Sequence, residues 1–469
     1  MKRIAIPEFG RIYRKDRRSR HRNAGGRIFL AERIYSQLER FDRKWGGESH
    51  RIFTWYADHA RANQWVGVVH VPGLQLEILP KVDATSASMD EPFAKKDIVR
   101  KNLLYMLAVA GDVPVRARDV ARLASRKAPL SETLIGIFAK RLLSELLKGT
   151  ERNYVRREEN IRAFKGRLLI NRHIRKNTAH RERFYCHYDE FSEDTPLNRL
   201  FKSACRVLLD IAATPLTQDS LRHCLLILDQ VRDIGISADH MQEIVLDRRN
   251  ERFRELYSFC RLILSGQSPT ISAGKQTSFS LLFDMNKVFE RFIAAFLQKR
   301  VMPNMPGYRL FPQARRNRRH LMKTDEEKGV LRLEPDILIR DPNGRHQVID
   351  TKWKNVGTST ERAQGGVSGS DLYQLFAYTH RYGCGQSTLL YPKIPGTRDR
   401  DFHILNQNDE RCGQRVNIRY VNISRDLHAS VERDALTSEL ETLVRSGFAE
   451  LSPQTSSDEQ TECLAEEAA

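Results

Sequence analysis

Two aspartates and a lysine in the stretch LRLEPDILIRDPNGRHQVIDTKWK (residues 331–354) have the side chains and the spacing for metal-dependent chemistry. Asp336 lies within one strand-like run, Asp350 and Lys352 end the next, and the turn signal DPNG separates the runs. If the strands pair through a tight turn, Asp336 and Asp350 lie almost level across the ladder. Lys352 then shares the face of Asp350, because residues two apart in a strand point the same way.

Two carboxylates side by side repel each other unless one is protonated or a cation lies between them. A hard divalent cation bound by Asp336, Asp350, the backbone carbonyl of Thr351 and water would remove this repulsion. Lys352 would then orient or deprotonate a water molecule, or stabilise developing negative charge. The stretch therefore predicts a metal site suited to hydrolysis.

The helix predicted before these strands adds a third acid. In DMNKVFERFIAAFLQKR (residues 284–300) the apolar side chains follow helical spacing without a gap. Glu290 lies at the edge of this apolar stripe. It is either a further metal ligand or a surface residue.

The helix predicted after the strands is SGSDLYQLFAYTHRYG (residues 368–383), with Ser370 or Asp371 as its N-cap and Gly383 at its end. Gln374 and Tyr378 are four residues apart and share one face. That face contacts either the metal site and a phosphate backbone, or solvent. The residues predicted to form the core face are Leu372, Leu375 and Phe376.

The composition favours a globular protein with a polyanionic partner. The chain has 469 residues, of which 40% are hydrophobic, and a net charge of +19 that favours nucleic acid as the partner. It contains no apolar run of membrane-spanning length and no signal peptide, so we expect no membrane span. Its seven cysteines form no C-x-x-C pair, which argues against a zinc module or a disulfide framework and favours the cytoplasm.

The pattern along the chain predicts an α+β or α/β protein of several domains. The predicted parts are a β-rich N-terminal region (1–94), a mainly helical region (95–268), an α/β region (279–450) and an acidic disordered tail (451–469). The basic run from Arg11 to Arg22 is interpreted as a solvated arm or loop. Gly274-Lys275 lacks the other residues of a P-loop, since Pro269 and Gln276 occupy the required glycine and Ser/Thr positions, so no nucleotide motor is predicted.

The ordered set of Glu290, Asp336, Asp350-x-Lys352 and Gln374-x-x-x-Tyr378 resembles the PD-(D/E)XK nuclease superfamily, in particular its branch with a Gln-x-x-x-Tyr helix. The resemblance implies a mixed sheet flanked by helices and a divalent-metal phosphodiesterase. The metal, Mg²⁺ or alternatively Mn²⁺, would bind the two aspartates with Glu290 as a further ligand, and Lys352 would be the catalytic lysine.

A closer resemblance covers residues 60 to 425 and is to the McrC family. The segments that carry it are YVRREENIRAFKGRLLINRHI, RFYCHYDEFSEDTPLNRLFKSA, FSLLFDMNKVFERFI and LEILPKV. The resemblance implies the nuclease subunit of a modified-cytosine restriction system, which cuts double-stranded DNA. It also implies a partner, a McrB-like AAA+ GTPase ring, on which the region before residue 265 docks and whose GTP hydrolysis it stimulates.

Three basic residues in the docking region, Arg156, Arg157 and Arg167, have two interpretations. They contact phosphate or the partner, or they pair with surface acids such as Glu158 and Glu159. A nearby acidic cluster is interpreted as structural or interfacial, because Thr195-Pro196 is typical of a helix start. The members of that cluster are Asp189, Glu190, Glu193 and Asp194.

Two other functions stay open for the whole chain. One is a catalytically silent adaptor that binds DNA or a motor ring, and the other is a stand-alone DNA repair nuclease. The intact set of Glu290, Asp336, Asp350 and Lys352 argues against the adaptor, since loss of catalysis would allow at least one position to change.

Overall fold

The computed structural model describes residues 2–15, 27–45, 51–81, 96–114, 128–234, 241, 243–265, 278–315, 317–354 and 367–449. The predicted acidic tail and the Gly274-Lys275 dipeptide lie outside these residues. The chain forms a mixed α and β structure of two compact units. The first unit comprises residues 1–295, 393–395 and 422–433, and the second comprises 296–392, 396–421 and 434–469.

Eleven strands and eight helices of the first unit lie within the described residues. The strands are β1 (Lys2–Pro7), β2 (Arg11–Arg14), β3 (Ile28–Leu30), β4 (Phe53–Trp55), β5 (His59–Ala62), β6 (Trp65–Val71), β7 (Leu74–Leu79), β8 (Asn153–Ile161), β9 (Arg167–Leu168), β10 (Phe184–Ser192) and β11 (Phe279–Asp284). The helices are α1 (Glu32–Trp45), α2 (Lys96–Ala110), α3 (Leu130–Leu146), α4 (Ile170–Asn177), α5 (Pro196–Ile211), α6 (Pro215–Ile227), α7 (Arg254–Ser265) and α8, which begins in this unit (Met285–Phe296).

Three sheets form the β part of the first unit, with strand orders β1-β7-β6-β11, β3-β2-β5-β4 and β8-β10-β9. The predicted hairpin of β6 and β7 is confirmed, with Gly73 at a φ of 85° in its turn. The polar residues of β7 are buried rather than solvated, because Glu77 accepts hydrogen bonds from Leu130 N and the Arg100 guanidinium. Both faces of this strand are therefore covered.

The N-terminal region is β-rich as predicted, and it also contains the 14-residue helix α1. The region predicted to be mainly helical also contains a sheet, because the charged stretch after residue 150 forms strands β8, β9 and β10. The structure corrects the expectation of a solvated arm or loop at Arg11, since the arm begins as strand β2, and its residues 16–22 lie outside the described part of the chain.

A segment near the C-terminus completes the first unit. Asn102 on α2 donates hydrogen bonds to Ile423 O at 3.1 Å and to Arg425 O at 2.8 Å, and its Oδ1 atom accepts one from Leu427 N at 3.1 Å. Asn102 is 2% exposed, so its amide satisfies backbone groups that would otherwise be buried without partners. The chain then returns to the second unit at residue 434.

The second unit is built on a six-stranded mixed sheet with the order β12-β15-β16-β17-β19-β18. Its strands, with those of a separate two-stranded ribbon (β13 and β14), are β12 (Arg309–Pro312), β13 (Arg319–Lys323), β14 (Gly329–Leu333), β15 (Ile337–Arg340), β16 (His346–Thr351), β17 (Gln386–Pro392), β18 (Arg400–Leu405) and β19 (Arg411–Val421). Its α-helices are α9 (Gly369–Tyr382) and α10 (Ser430–Ser446), which begins in the first unit and continues into the second from residue 434.

Helix α9 packs on one face of this sheet, where Leu375, Val348 and Leu389 share a buried core. Its N-cap is Ser368, two or three positions before the predicted N-caps Ser370 and Asp371, and it ends as predicted at Gly383, whose φ is 63°. Gly447, just beyond α10, lies against Gln347 on the opposite face. Within the described ranges, every helix is too short or too polar to span a lipid bilayer.

Candidate active site

The two aspartates meet at the end of the β15–β16 ladder. These strands are antiparallel, with Ile337 opposite Ile349 and Leu338 opposite Val348, so the register extended by one step places Asp336 opposite Asp350. The predicted level pairing is therefore present. Asp336 itself precedes β15 rather than lying inside a strand, because the preceding Pro335 has no N–H for a ladder.

The carboxylate of Asp336 is held by the end of β16. Its Oδ2 atom accepts hydrogen bonds from Thr351 N at 2.8 Å and from Thr351 Oγ1 at 2.7 Å. Its backbone oxygen accepts one from Gln313 N at 2.7 Å, and Gln313 and Ala314 both have left-handed backbone angles (φ of 52° and 43°). Such conformations persist only where the surroundings fix them, so this turn stores strain beside the carboxylate.

Asp350 is 2% exposed and forms an ion pair with Lys352, whose Nζ atom lies 2.5 Å from its Oδ2 atom. Within the described residues, this buried Oδ2 atom accepts no hydrogen bond of regular geometry. Burial, with the charge of Asp336, raises the pKa of Asp350 to about 7. Burial also raises the pKa of Asp336, although the hydrogen bonds from Thr351 and the charge of Lys352 oppose this.

Helix α9 adds two polar side chains to this pair. Lys352 Nζ donates to Gln374 Oε1 at 3.2 Å, and Gln374 Nε2 donates to Tyr378 Oη at 2.9 Å. Gln374 therefore faces the two strands, but Tyr378 is 4% exposed and belongs to the core rather than to a polar face. Phe376, predicted to be in the core, is 47% exposed. The ring of Tyr378 packs in the core while its hydroxyl accepts the hydrogen bond from Gln374. A pattern of polar and apolar residues does not predict such a division within one side chain.

A second ion pair, which the sequence did not reveal as part of the site, lies next to these residues. Lys354 Nζ lies 3.0 Å from Asp371 Oδ2, and Tyr391 Oη donates to the same oxygen at 3.4 Å. Asp371 is 6% exposed, and its charge contributes to the raised pKa of Asp350. Asp371 resembled a helix-capping residue in the sequence, and only the tertiary structure gives it a partner from β17.

Glu290 lies on α8, in the first unit, and is half-buried. The apolar stripe predicted for this helix is confirmed, because its members are all buried: Met285, Val288, Phe289, Phe292, Ile293, Phe296 and Leu297. The role of Glu290 as a metal ligand stays a prediction.

The residues of the second unit fit a hard divalent cation. Two carboxylates with raised pKa values repel each other, and a cation between them would remove that cost. No group of three or more His, Cys, Asp or Glu side chains in the described part of the chain is arranged to hold a metal. Two carboxylates and a carbonyl match Mg²⁺, which keeps most of its water ligands and binds substrate phosphate.

Two residues assigned to the docking region form ion pairs, Arg157 with a partly exposed acid and Asp194, which is 4% exposed, with a largely buried arginine. Arg157 forms an ion pair with Glu190 across the β8–β10 ladder at 3.1 Å, which supports surface pairing. Asp194 pairs with Arg199 at 2.7 Å, and Thr195 caps α5 through a hydrogen bond from Asn198 N. The predicted structural role of this part of the acidic cluster and the helix start are thus confirmed.

Comparison with known proteins identifies a family for most of the chain. Residues 60–392 match the family model described as McrBC 5-methylcytosine restriction system component. A curated relative, the type IV methyl-directed restriction enzyme EcoKMcrBC of Escherichia coli (strain K12), is 21% identical over 288 residues, which are 59% of this chain and 80% of the relative.

A solved structure shares the fold. It is McrC bound to McrB AAA+ hexamers from Thermococcus gammatolerans, a refined half-complex of a tetradecameric assembly. The TM-score is 0.60 at 21% identity, and the match covers 94% of this chain and 100% of that one.

Proposed function

Because the chain belongs to the family of McrBC 5-methylcytosine restriction system components, we propose that it is the nuclease subunit of a modified-cytosine restriction complex. In this proposal it is a divalent-metal-dependent endonuclease of the PD-(D/E)XK superfamily that hydrolyses phosphodiester bonds in double-stranded DNA. The observation that carries the proposal is the contact of Lys352 with both Asp350 and Gln374, where Asp350 lies level with Asp336 at one end of the sheet.

The carboxylates of Asp336 and Asp350 and the carbonyl of Thr351 would hold Mg²⁺. When bound, Mg²⁺ supplies Lewis acidity toward a phosphoryl oxygen and lowers the pKa of a bound water. The hydrogen bonds from Thr351 fix the orientation of Asp336, so this ligand needs little reorganisation when the cation arrives.

Lys352 acts as a cation in this mechanism. Burial tends to lower its pKa, but the charge of Asp350 more than offsets this and leaves the pKa raised, so the ammonium stays protonated at neutral pH. It therefore stabilises the negative charge that develops on the phosphate rather than removing a proton from water. Gln374 holds the ammonium through the hydrogen bond to its Oε1 atom.

The partner in this proposal is a McrB-like AAA+ GTPase ring. The support is the shared fold with a McrC chain bound to McrB AAA+ hexamers. The first unit would carry the docking surface and stimulate GTP hydrolysis, and the net charge of +19 would favour binding to DNA.

The test is cleavage of cytosine-methylated and unmodified duplex DNA with Mg²⁺. The chain is assayed alone, with a McrB-like AAA+ GTPase from the same organism, and with that GTPase plus GTP. We expect cleavage only of methylated DNA and only with both partner and GTP, and none by Asp350→Ala. Cleavage by the chain alone would favour a stand-alone nuclease. Equal cleavage by Asp350→Ala would overturn the proposed site and favour an adaptor.

Replacing Asp371 by asparagine is expected to lower the cleavage rate about tenfold and to move the acidic limb of the pH–rate profile to lower pH. Asp371 raises the pKa of Asp350, and its loss leaves the Lys354 ammonium unpaired nearby, so Asp350 ionises more readily. The measurement is single-turnover cleavage between pH 5.5 and 8.5.

The matched variant is Lys354→Met, which removes the other half of the same ion pair. It should move the acidic limb in the opposite direction, because the negative charge of Asp371 is then uncompensated. If both variants leave the limb where it is in the wild type, Asp371 is a structural residue and not a positioning residue of the site.

A further inference from the structure

The ribbon of β13 and β14 starts and ends beside the proposed catalytic carboxylate. It connects β12 to β15 in the chain. The two segments that join the ribbon to these strands, here called the neck, are linked by the hydrogen bond from Gln313 N to Asp336 O at 2.7 Å. Strand β14 ends at Leu333, three residues before Asp336. Five strand residues span about 16 Å, which is the length of about five base pairs. A duplex whose phosphate reaches Asp336 therefore passes within reach of the ribbon.

The inner face of the ribbon is fixed to the C-terminal end of α9. The Arg319 guanidinium lies over the Tyr382 ring at 5.1 Å and donates to Arg381 O at 2.6 Å. Arg381 in turn donates to His320 O at 2.8 Å, and Leu333 is 8% exposed in the core of the second unit. The ribbon is thus held in one position relative to the aspartates.

The outer face of the ribbon is open and carries two cross-strand pairs, His320 with Arg332 and Met322 with Val330. Met322 is 55% exposed, Val330 is 39% exposed, and the Arg332 side chain is 53% exposed. A basic pair lies nearest the neck, and an apolar pair follows it toward the tip.

Charge is graded along the ribbon. Arg315, Arg318 and Arg332 lie at or near the neck, where Glu334 contacts the last two at 3.7 and 2.5 Å, so this end keeps a positive charge. At the tip, Lys323 pairs with Glu327 and Lys328 pairs with Glu326. Asp325 adds a further negative charge there. The basic end is the end beside the site.

We propose that the outer face of the β13–β14 ribbon lies in the major groove of the DNA duplex that this chain cuts, with the basic neck on the phosphates. This inference rests on the proposed function. The major groove, about 12 Å wide, admits a two-stranded β-ribbon, and arginines beside it bind backbone phosphates. Met322 and Val330 then contact base edges, such as the methyl groups that pyrimidines present in this groove.

The occupant is duplex DNA rather than a second protein chain because of where the charge lies. A protein partner would be selected by the apolar pair, but the positive charge is concentrated toward Asp336, where the scissile phosphate must bind. Phosphates would repel the near-neutral to acidic tip of the ribbon, so the tip lies away from the phosphate backbone of the duplex.

The test measures binding of a 30-base-pair duplex by the full chain carrying Asp350→Ala, which prevents cleavage, at several salt concentrations. Arg332→Ala should weaken binding about tenfold and reduce the slope of log K against log salt by about one. His320→Ala combined with Arg332→Ala should weaken it about 30-fold. The matched control is Lys328→Ala, which removes the same charge at the tip and should change binding less than about twofold.

Two results would overturn the inference. One is equal weakening by Lys328→Ala and Arg332→Ala, which would indicate only the general charge of the chain. The other is unchanged DNA binding by Arg332→Ala and Met322→Asp while Met322→Asp changes the sedimentation mass, which would assign the face to a second copy. Neither result affects the proposed function, which fails separately if Asp350→Ala cuts DNA like the wild type.

Discussion

Replacing Asp350 by asparagine is expected to lower DNA cleavage at least about 10³-fold without unfolding the chain, a loss of about 4 kcal/mol of transition-state stabilisation. Asparagine has the shape of aspartate but lacks the charge that would hold the cation, and Asp350 is 2% exposed, so no other group replaces it. Lys352 keeps its hydrogen bond to Gln374. The measurement is single-turnover cleavage of methylated duplex with partner, GTP and Mg²⁺.

The matched control is Asp341→Asn, which makes the same chemical change at the other end of the same hairpin. Asp341 is 4% exposed and pairs with Arg345 at 2.8 Å, so the variant should lose about 1–3 kcal/mol of unfolding free energy and keep most of its cleavage rate. If Asp341→Asn lost as much activity as Asp350→Asn, the loss would reflect damage to the hairpin rather than removal of a ligand.

The metal-free second unit is expected to lose stability as the pH rises from about 5 to about 8. The pKa of Asp350 is raised from 3.8 to about 7 in the folded chain. The unfolded chain has therefore lost this proton by pH 5, whereas the folded chain keeps it until about pH 7. Because the folded state binds more protons across this window, its unfolding free energy falls with pH, by an amount on the order of 3 kcal/mol.

Asp336 contributes in the same direction, since burial raises its pKa as well. Lys352 does not contribute in this window, because its raised pKa affects stability only at alkaline pH. The measurement is amide hydrogen exchange of β15 and β16 in EDTA at pH 5.5 and 8, corrected for the intrinsic exchange rates. Asp350→Asn should remove most of the pH dependence, and Mg²⁺ should protect the wild type more at pH 8. If Asp350→Asn kept the full pH dependence of the wild type, that dependence would arise from other titratable groups.

Local signals in the sequence predicted the centre of the site. The DPNG turn sets the register that brings Asp336 opposite Asp350, and the apolar spacing with Gly383 sets the extent of α9. These features depend on residues close together in the chain. Lys352 and Gln374 could be placed on the correct faces for the same reason.

The features that could not be predicted depend on partners distant in the chain. Asp371 is buried because Lys354 and Tyr391 lie beside it, and Tyr378 is in the core because α9 packs on the sheet. Glu77 in β7 pairs with Arg100, which allows a polar residue in a strand covered on both faces. No pattern of polar and apolar residues within one element contains this information.

Residues 422–433 belong to the first unit, and the residues after them belong to the second. Neither unit can therefore be complete until the last part of the chain has been translated. Asn102 obtains its three backbone partners only after Leu427 has been synthesised, and α10 follows them. A ribosome that stops before residue 422 would therefore release a chain in which neither unit is complete. Such a fragment would expose unpaired buried groups to proteases, so a truncated chain would be cleared rather than accumulate.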